Sequence, residues 1–167
     1  MNVFDRLHLL HEALPDLDFA HVSIEGERFG HGVEKPFFVS SMTAGHAQST
    51  VINRHLMAAS DTMGWAMWVG SQRRELTDPN AASEWTTLRR EFQRVALWGN
   101  LGLAQLITTP MSSIERLVHA LEAQAFIIHC NPIQELIQPE GTPQFLGCWK
   151  ALERLVHLLE IPVIVKE

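Results

Sequence analysis

The sequence contains no tyrosine beside its five tryptophans, so no phenol is available to any site. Cysteine is nearly absent too. Cys130 and Cys148 are too few for a disulfide framework, which points to a reducing compartment. No apolar run approaches the ~18 residues that a membrane helix needs. The opening stretch, Met1 to Asp18, carries acids early and holds no long apolar core, unlike a secretory signal. These absences lead to the expectation of a cytoplasmic protein with no membrane contact. Positive charge is scarce as well. With 13 basic against 19 acidic residues the net charge is −6, which excludes a broad nucleic-acid footprint but not a small local anion site. There is no GxGxxG after the first strand, no HExxH and no paired-cysteine pattern, so neither a dinucleotide fingerprint nor a zinc site is signalled.

What is present is an ordinary globular mixture, 46% hydrophobic and 19% charged over 167 residues, enough for one domain with a core. Residues 1–35 read as a cap segment, with a short strand within His21 to Phe29 and a turn at Gly30-His31-Gly32. From Pro36 the pattern becomes regular. Apolar strands are expected at Phe37–Ser41, Trp65–Val69, Val95–Trp98, Ala125–Ile128 and Pro162–Val165. Helices are expected between them, at Gln48–Met63 (stopped by Gly64), Ala81–Phe92, Ser112–Glu122 and Gly147–Leu159. The strand starts recur at roughly thirty-residue spacing, the length of a right-handed βαβ crossover, so an α/β fold with a parallel sheet follows. Two architectures fit: a doubly wound open sheet, or a TIM-type (β/α)8 barrel of which residues 36–167 form the first five β/α units.

In both architectures chemistry sits beyond the carboxyl ends of the strands. Those ends carry Met42-Thr43-Ala44-Gly45, Ser71-Gln72-Arg73-Arg74, Gly99-Asn100-Leu101-Gly102, His129 to Glu135, and Lys166-Glu167. Thr43, Ser71 and Asn100 are neutral donors and acceptors suited to the rim of a flat heterocycle, with glycines that let backbone approach it. Arg73, His129 and Lys166 suit a phosphate or an anionic ring atom. Glu135 is a hard oxygen ligand for Mg²⁺ shared with a phosphate. Each has a plainer reading: helix caps for Thr43, Ser71 and Asn100, a solvated face for Arg73 and Arg74, a structural histidine for His129, a solvated terminus for Lys166. Cys130 lies in the same loop but has no base dedicated to it. The weight comes from the convergence of all five loops.

The motifs resemble those of the flavin-dependent, type 2 isopentenyl-diphosphate delta-isomerases. They run through nearly the whole chain in order: Leu9 to Ile24, PFFVSSMTAG, INRHLMAAS, VGSQRREL, GNLGLAQL, IHCNPIQELIQPEG and IPVIVKE. The His-x-Asn-Pro-x-Gln-Glu segment followed by Gln-Pro-Glu-Gly carries the most specificity. The resemblance implies a (β/α)8 barrel that uses FMN and Mg²⁺ to interconvert isopentenyl diphosphate and dimethylallyl diphosphate, with NAD(P)H serving only to reduce the flavin. It implies FMN contacts at Met42, Thr43, Ala44, Ser71, Asn100 and Lys166. It implies diphosphate-substrate contacts at Arg73, His129, Asn131 and Gln134, catalytic roles for Gln134 and His129, and a Mg²⁺ ligand at Glu135. A homo-oligomer is expected.

Three departures stand out. Ala44 replaces a glycine of the family pattern and adds a methyl where the backbone approaches the flavin. The family's basic N-terminal Arg-Lys motif is absent ahead of Phe4. The chain stops after the fifth strand, before the glycine-rich loops that hold the flavin phosphate, so it is expected to bind FMN weakly, turn over little, and self-associate through the edge at Val163-Ile164-Val165. Two other readings compete: another FMN-dependent barrel oxidoreductase, and a non-catalytic half-barrel that binds a partner.

Overall fold

A computed structural model describes residues 2–167. Five strands form one parallel sheet in sequential order, β3 (Phe38–Val39), β4 (Ala66–Trp68), β5 (Leu97–Gly102), β6 (Ala125–His129) and β7 (Val163–Lys166). Ahead of them, β1 (Gly26–Arg28) and β2 (His31–Val33) make an antiparallel hairpin. Its two-residue turn has Phe29 at φ 55° and Gly30 at φ 80°, both positive as a tight hairpin of matching twist requires. Residues 7–24 are open to solvent, including a 3₁₀ turn at Phe19–His21, and Leu9, Leu10 and Leu14 lie exposed there.

Helices connect the sheet strands: α1 (Ser49–Met63), α2 (Pro79–Glu91), α3 (Leu103–Thr108), α4 (Met111–Leu121), α5 (Pro132–Ile137) and α6 (Cys148–Leu158). Gly64 ends α1 in the left-handed conformation at φ 68°, as its position in the sequence predicts. Asp78 caps α2 by accepting from the Asn80 N–H, with Pro79 in the first turn. On the helix side of the sheet Met67, Val69, Leu97, Leu101, Phe126 and Ile128 pack with Met57, Leu88, Ile114, Leu121 and Leu155. On the other side Trp98, Ala125 and Ile127 form a smaller cluster with Trp68 and Ile164. Phe38 stacks on Trp68 with ring centroids 4.1 Å apart, and Trp68 on Trp98 at 5.0 Å. Sequential order, with all crossovers of one hand, puts the helices on one face. It lacks the reversal of a doubly wound sheet among the described strands and is compatible with part of a barrel.

The structure corrects several boundaries. The third strand is not Val95–Trp98 but runs on through Gly102, so Gly99-Asn100-Leu101-Gly102 is strand rather than loop. Pairing explains this: Trp98 to Gly102 match Ala125 to His129 residue for residue. Glycine is disfavoured in strands, yet here it is demanded. A Cβ at Gly99 would lie 2.6 Å from the Phe126 ring. His129 and Lys166 likewise belong to β6 and β7 rather than to the loops after them, and they face each other in register. The first strand shrinks to Phe38–Val39 and the second to Ala66–Trp68. The short helices α3 and α5 carry too few turns to show a helical period and were not expected.

Candidate functional site

The carboxyl ends of β4, β5 and β6 open into a cleft of about 550 Å³. Seven of the residues singled out from the sequence line it: Ala44, Ser71, Arg73, His129, Asn131, Gln134 and Glu135. Four do not. Met42 is 80% exposed on the β3–α1 loop. The Thr43 hydroxyl donates to Asn53 of α1. Asn100 is buried below the cleft floor, and Lys166 stands beside His129 on the neighbouring strand.

The floor has a definite hydrogen-bond order. The Asn100 side-chain amide donates to the Val69 carbonyl at 3.2 Å. A carbonyl only accepts, so the NH₂ end must face it and Oδ1 must face His129. His129 Nδ1 lies 2.9 Å from that oxygen and is therefore the protonated nitrogen. Burial, and next the nearby Lys166 ammonium, push the imidazole below its ordinary value. His129 is thus neutral at pH 7, with Nε2 left as an acceptor. Asn100 is itself fixed by Gln72, which accepts from the Asn100 N–H at 3.2 Å and donates its own backbone N–H to the Asn100 carbonyl at 2.8 Å. Gln72 is only 1% exposed. Asn100 therefore fixes the orientation of the His129 ring.

The walls differ in charge. Arg73 reaches the Glu140 carbonyl at 2.8 Å and keeps donors for a ligand. Its neighbour Arg74 is spent in pairs with Asp78 and Glu84 on α2. Asn131 caps α5 by accepting from the Gln134 N–H, and its amide donates to the Gln134 side-chain oxygen. The two substrate candidates are thereby held as one unit. Glu135 accepts from the Thr142 N–H at 2.6 Å through one oxygen. Gly141 sits so close that a Cβ would be 2.1 Å from the Glu135 carbonyl, which keeps this return loop tight.

Among the described residues no group of three His, Cys, Asp or Glu could hold a metal by itself. One carboxylate oxygen at Glu135 suits Mg²⁺ only if an anionic ligand supplies further oxygens, which is how Mg²⁺ is commonly held. For a flavin, the uncharged donors at Ser71 and the β3–α1 loop with the Lys166 ammonium suit the edge of a ring. The Ala44 methyl sits 2.6 Å from where a Gly70 Cβ would be, so the extra methyl is accommodated by the bare backbone of Gly70, just after β4. Cys130 is a free thiol raised above its ordinary value chiefly by burial, which argues against a nucleophile.

The sequence reading passed over two residues. Gln72 stood between two candidates and was not weighed. Gln105, in the apolar run Leu103 to Ile107, lines the cleft while only 7% exposed. A glutamine inside an apolar run was the available signal. Among the described residues no helix is long and apolar enough to cross a membrane.

No protein-family model matches the chain. It is 61% identical over 167 residues to an isopentenyl-diphosphate delta-isomerase of Legionella pneumophila strain Philadelphia 1, covering all of this chain and 49% of that protein. It is 48% identical over 170 residues to a protein of the same name from Bdellovibrio bacteriovorus, covering 99% of this chain and 49% of that one. A Halobacterium salinarum protein, also so named, is 40% identical over 166 residues, with 98% and 46% covered. The chain spans about half the length of these curated relatives.

Proposed function

We propose that the protein takes part in interconverting isopentenyl diphosphate and dimethylallyl diphosphate as a type 2, FMN-dependent isomerase, and that the five-strand sheet belongs to a (β/α)8 barrel. The observation that carries this reading is the gathering of Arg73, His129, Asn131, Gln134 and Glu135 on one cleft, in a chain whose relatives bear that enzyme's name. The reaction moves a double bond by one position: a proton is added at the terminal alkene carbon and another is lost from the allylic methylene bonded to the internal alkene carbon.

The chain's own residues divide this work. Arg73 offers a planar fork of donors to the diphosphate. His129 presents Nε2 to it and takes up a proton as the anion binds, because a neighbouring negative charge favours the imidazolium. Glu135 is the residue that would hold Mg²⁺, which would help neutralise the diphosphate charge. Gln134, hydrogen-bonded to Asn131, would orient the reacting carbons without titrating near pH 7. Ser71, the β3–α1 loop and Lys166 are the residues that would hold the flavin ring. Reduced flavin supplies the acid–base chemistry, and NAD(P)H its reducing equivalents.

The test is anaerobic incubation of the protein with FMN, dithionite, Mg²⁺ and isopentenyl diphosphate, following the product by chromatography. Dimethylallyl diphosphate that requires both flavin and reductant is the expected result. Isomer formed equally without flavin would rule out the type 2 assignment, and no isomer under any condition would leave the binding-domain alternative.

A further inference from the structure

The cleft contains one polar group whose bonding is unfinished. Gln105 is the third residue of α3, the short helix that starts directly after β5. Its side chain folds back over the end of that strand. A Cβ built on Gly102 would lie 2.0 Å from Gln105 Oε1 and 3.0 Å from His129 Nε2, so the amide and the imidazole share the space that this glycine leaves open. The side chain is more than nine-tenths buried, and its amide nitrogen has no hydrogen-bond partner. It is not needed as a helix cap. The Gln105 backbone carbonyl already accepts from the Thr109 hydroxyl at 2.6 Å, and the side chain takes no part in that bond. A buried amide N–H without an acceptor is disfavoured, and a bound ion or ligand is one way such a group is completed.

We infer that Gln105 is a further binding residue of the cleft, donating its side-chain N–H to an oxygen of the anionic ligand held between Arg73 and His129. The inference rests on the function proposed above and adds a residue to it. The chemistry fits a phosphate or diphosphate oxygen. The amide is an uncharged donor, and turning it over about its last bond brings its Nε2, in place of Oε1, to the space beside Gly102. Beside it His129 Nε2 has a lone pair rather than a proton until an anion arrives. Gly102 is the necessary partner, since any side chain there would displace the amide from the cleft floor.

The test titrates inorganic pyrophosphate with Mg²⁺ into the chain by calorimetry, comparing the parent with Gln105→Leu and Gln105→Glu. A hydrogen bond to a charged group corresponds to a loss of about tenfold to a hundredfold on truncation, and Gln105→Glu should lose more because like charges then meet. Because Leu at this position could disturb folding, the side-chain amide signals of Gln105 in the ¹⁵N-labelled parent, assigned by their absence in Gln105→Glu, supply a second measure. They should shift with pyrophosphate in step with the His129 ring signals. If His129 responds while the Gln105 amide stays put, or if both variants keep parental affinity with parental melting curves, Gln105 is structural and the inference fails alone. If the parent binds no pyrophosphate at all and His129 is silent, the proposed function fails with it.

Discussion

At the scale of single residues, the most informative group outside the cleft is Glu75. It receives the Trp85 indole N–H at 2.8 Å through one oxygen, while the other is buried without a partner. Burial is the main cause that raises its carboxyl above the ordinary value. A carboxyl raised in this way costs the folded state nothing while both states are protonated. The cost builds as pH rises from about 4.3, where the unfolded chain ionises, to the higher folded value, and is constant above that. Glu75→Gln keeps the acceptor for Trp85 and removes the charge. It should raise the melting temperature at pH 7 by about 2–4 °C, equivalent to roughly 1 kcal/mol in a domain of this size. The gain should shrink on acidification and vanish near pH 4. A gain independent of pH would show that something other than the buried charge was responsible. His129 and Asn131 were picked out by residue type and position alone. What type could not reveal was that Asn100, expected to face a cofactor, spends both ends of its amide on Val69 and His129.

At the scale of elements, the pairing of β5 with β6 organises the site. It is the longest register in the sheet and places Asn100, His129 and Lys166 on one face, with His129 and Lys166 level and Asn100 below them. Gly99 makes it possible, since Phe126 occupies the space its Cβ would take. Gly99→Ala should therefore cost about 1–3 kcal/mol by overpacking, read as a lower denaturation midpoint with an unchanged slope. An unaltered midpoint would mean that the Phe126 ring moves aside freely. The sequence made β6 easy to find because Ala125 to Ile128 is an unbroken apolar run ending in two β-branched residues. It hid the second half of β5, because glycine and asparagine are turn-formers everywhere except where a neighbour forbids a side chain.

For the whole molecule, the decisive feature is the unequal cover of the two sheet faces. Helices cover one. On the other, Phe38 is 47% exposed, and at the β7 edge Val165, on the same face as Ile128, is 57% exposed. Among the described residues β3 and β7 each have one sheet neighbour. Apolar surface beside unpaired strand edges is a template for association. The isolated chain should bind a hydrophobic dye such as anilinonaphthalene sulfonate in its native state. It should also show a mass by light scattering that rises with concentration. A dye-silent, strictly monomeric chain would show that the exposed residues 7–24 or another segment covers this face in solution.

Local chemistry is what the sequence determined by itself. Runs of apolar residues, stop signals such as Gly64, and the chemical kinds gathered at the strand ends are properties of neighbouring residues. They survive without knowledge of the partner strand. Tertiary structure alone decided which of those groups face one another. Sequential strand order put the helices on one side, register brought His129 opposite Lys166 and above Asn100, and the missing side chain at Gly102 drew Gln105 into a cleft to which the sequence had not assigned it. Such juxtapositions depend on contacts between residues tens of positions apart, and no local pattern along the chain encodes them.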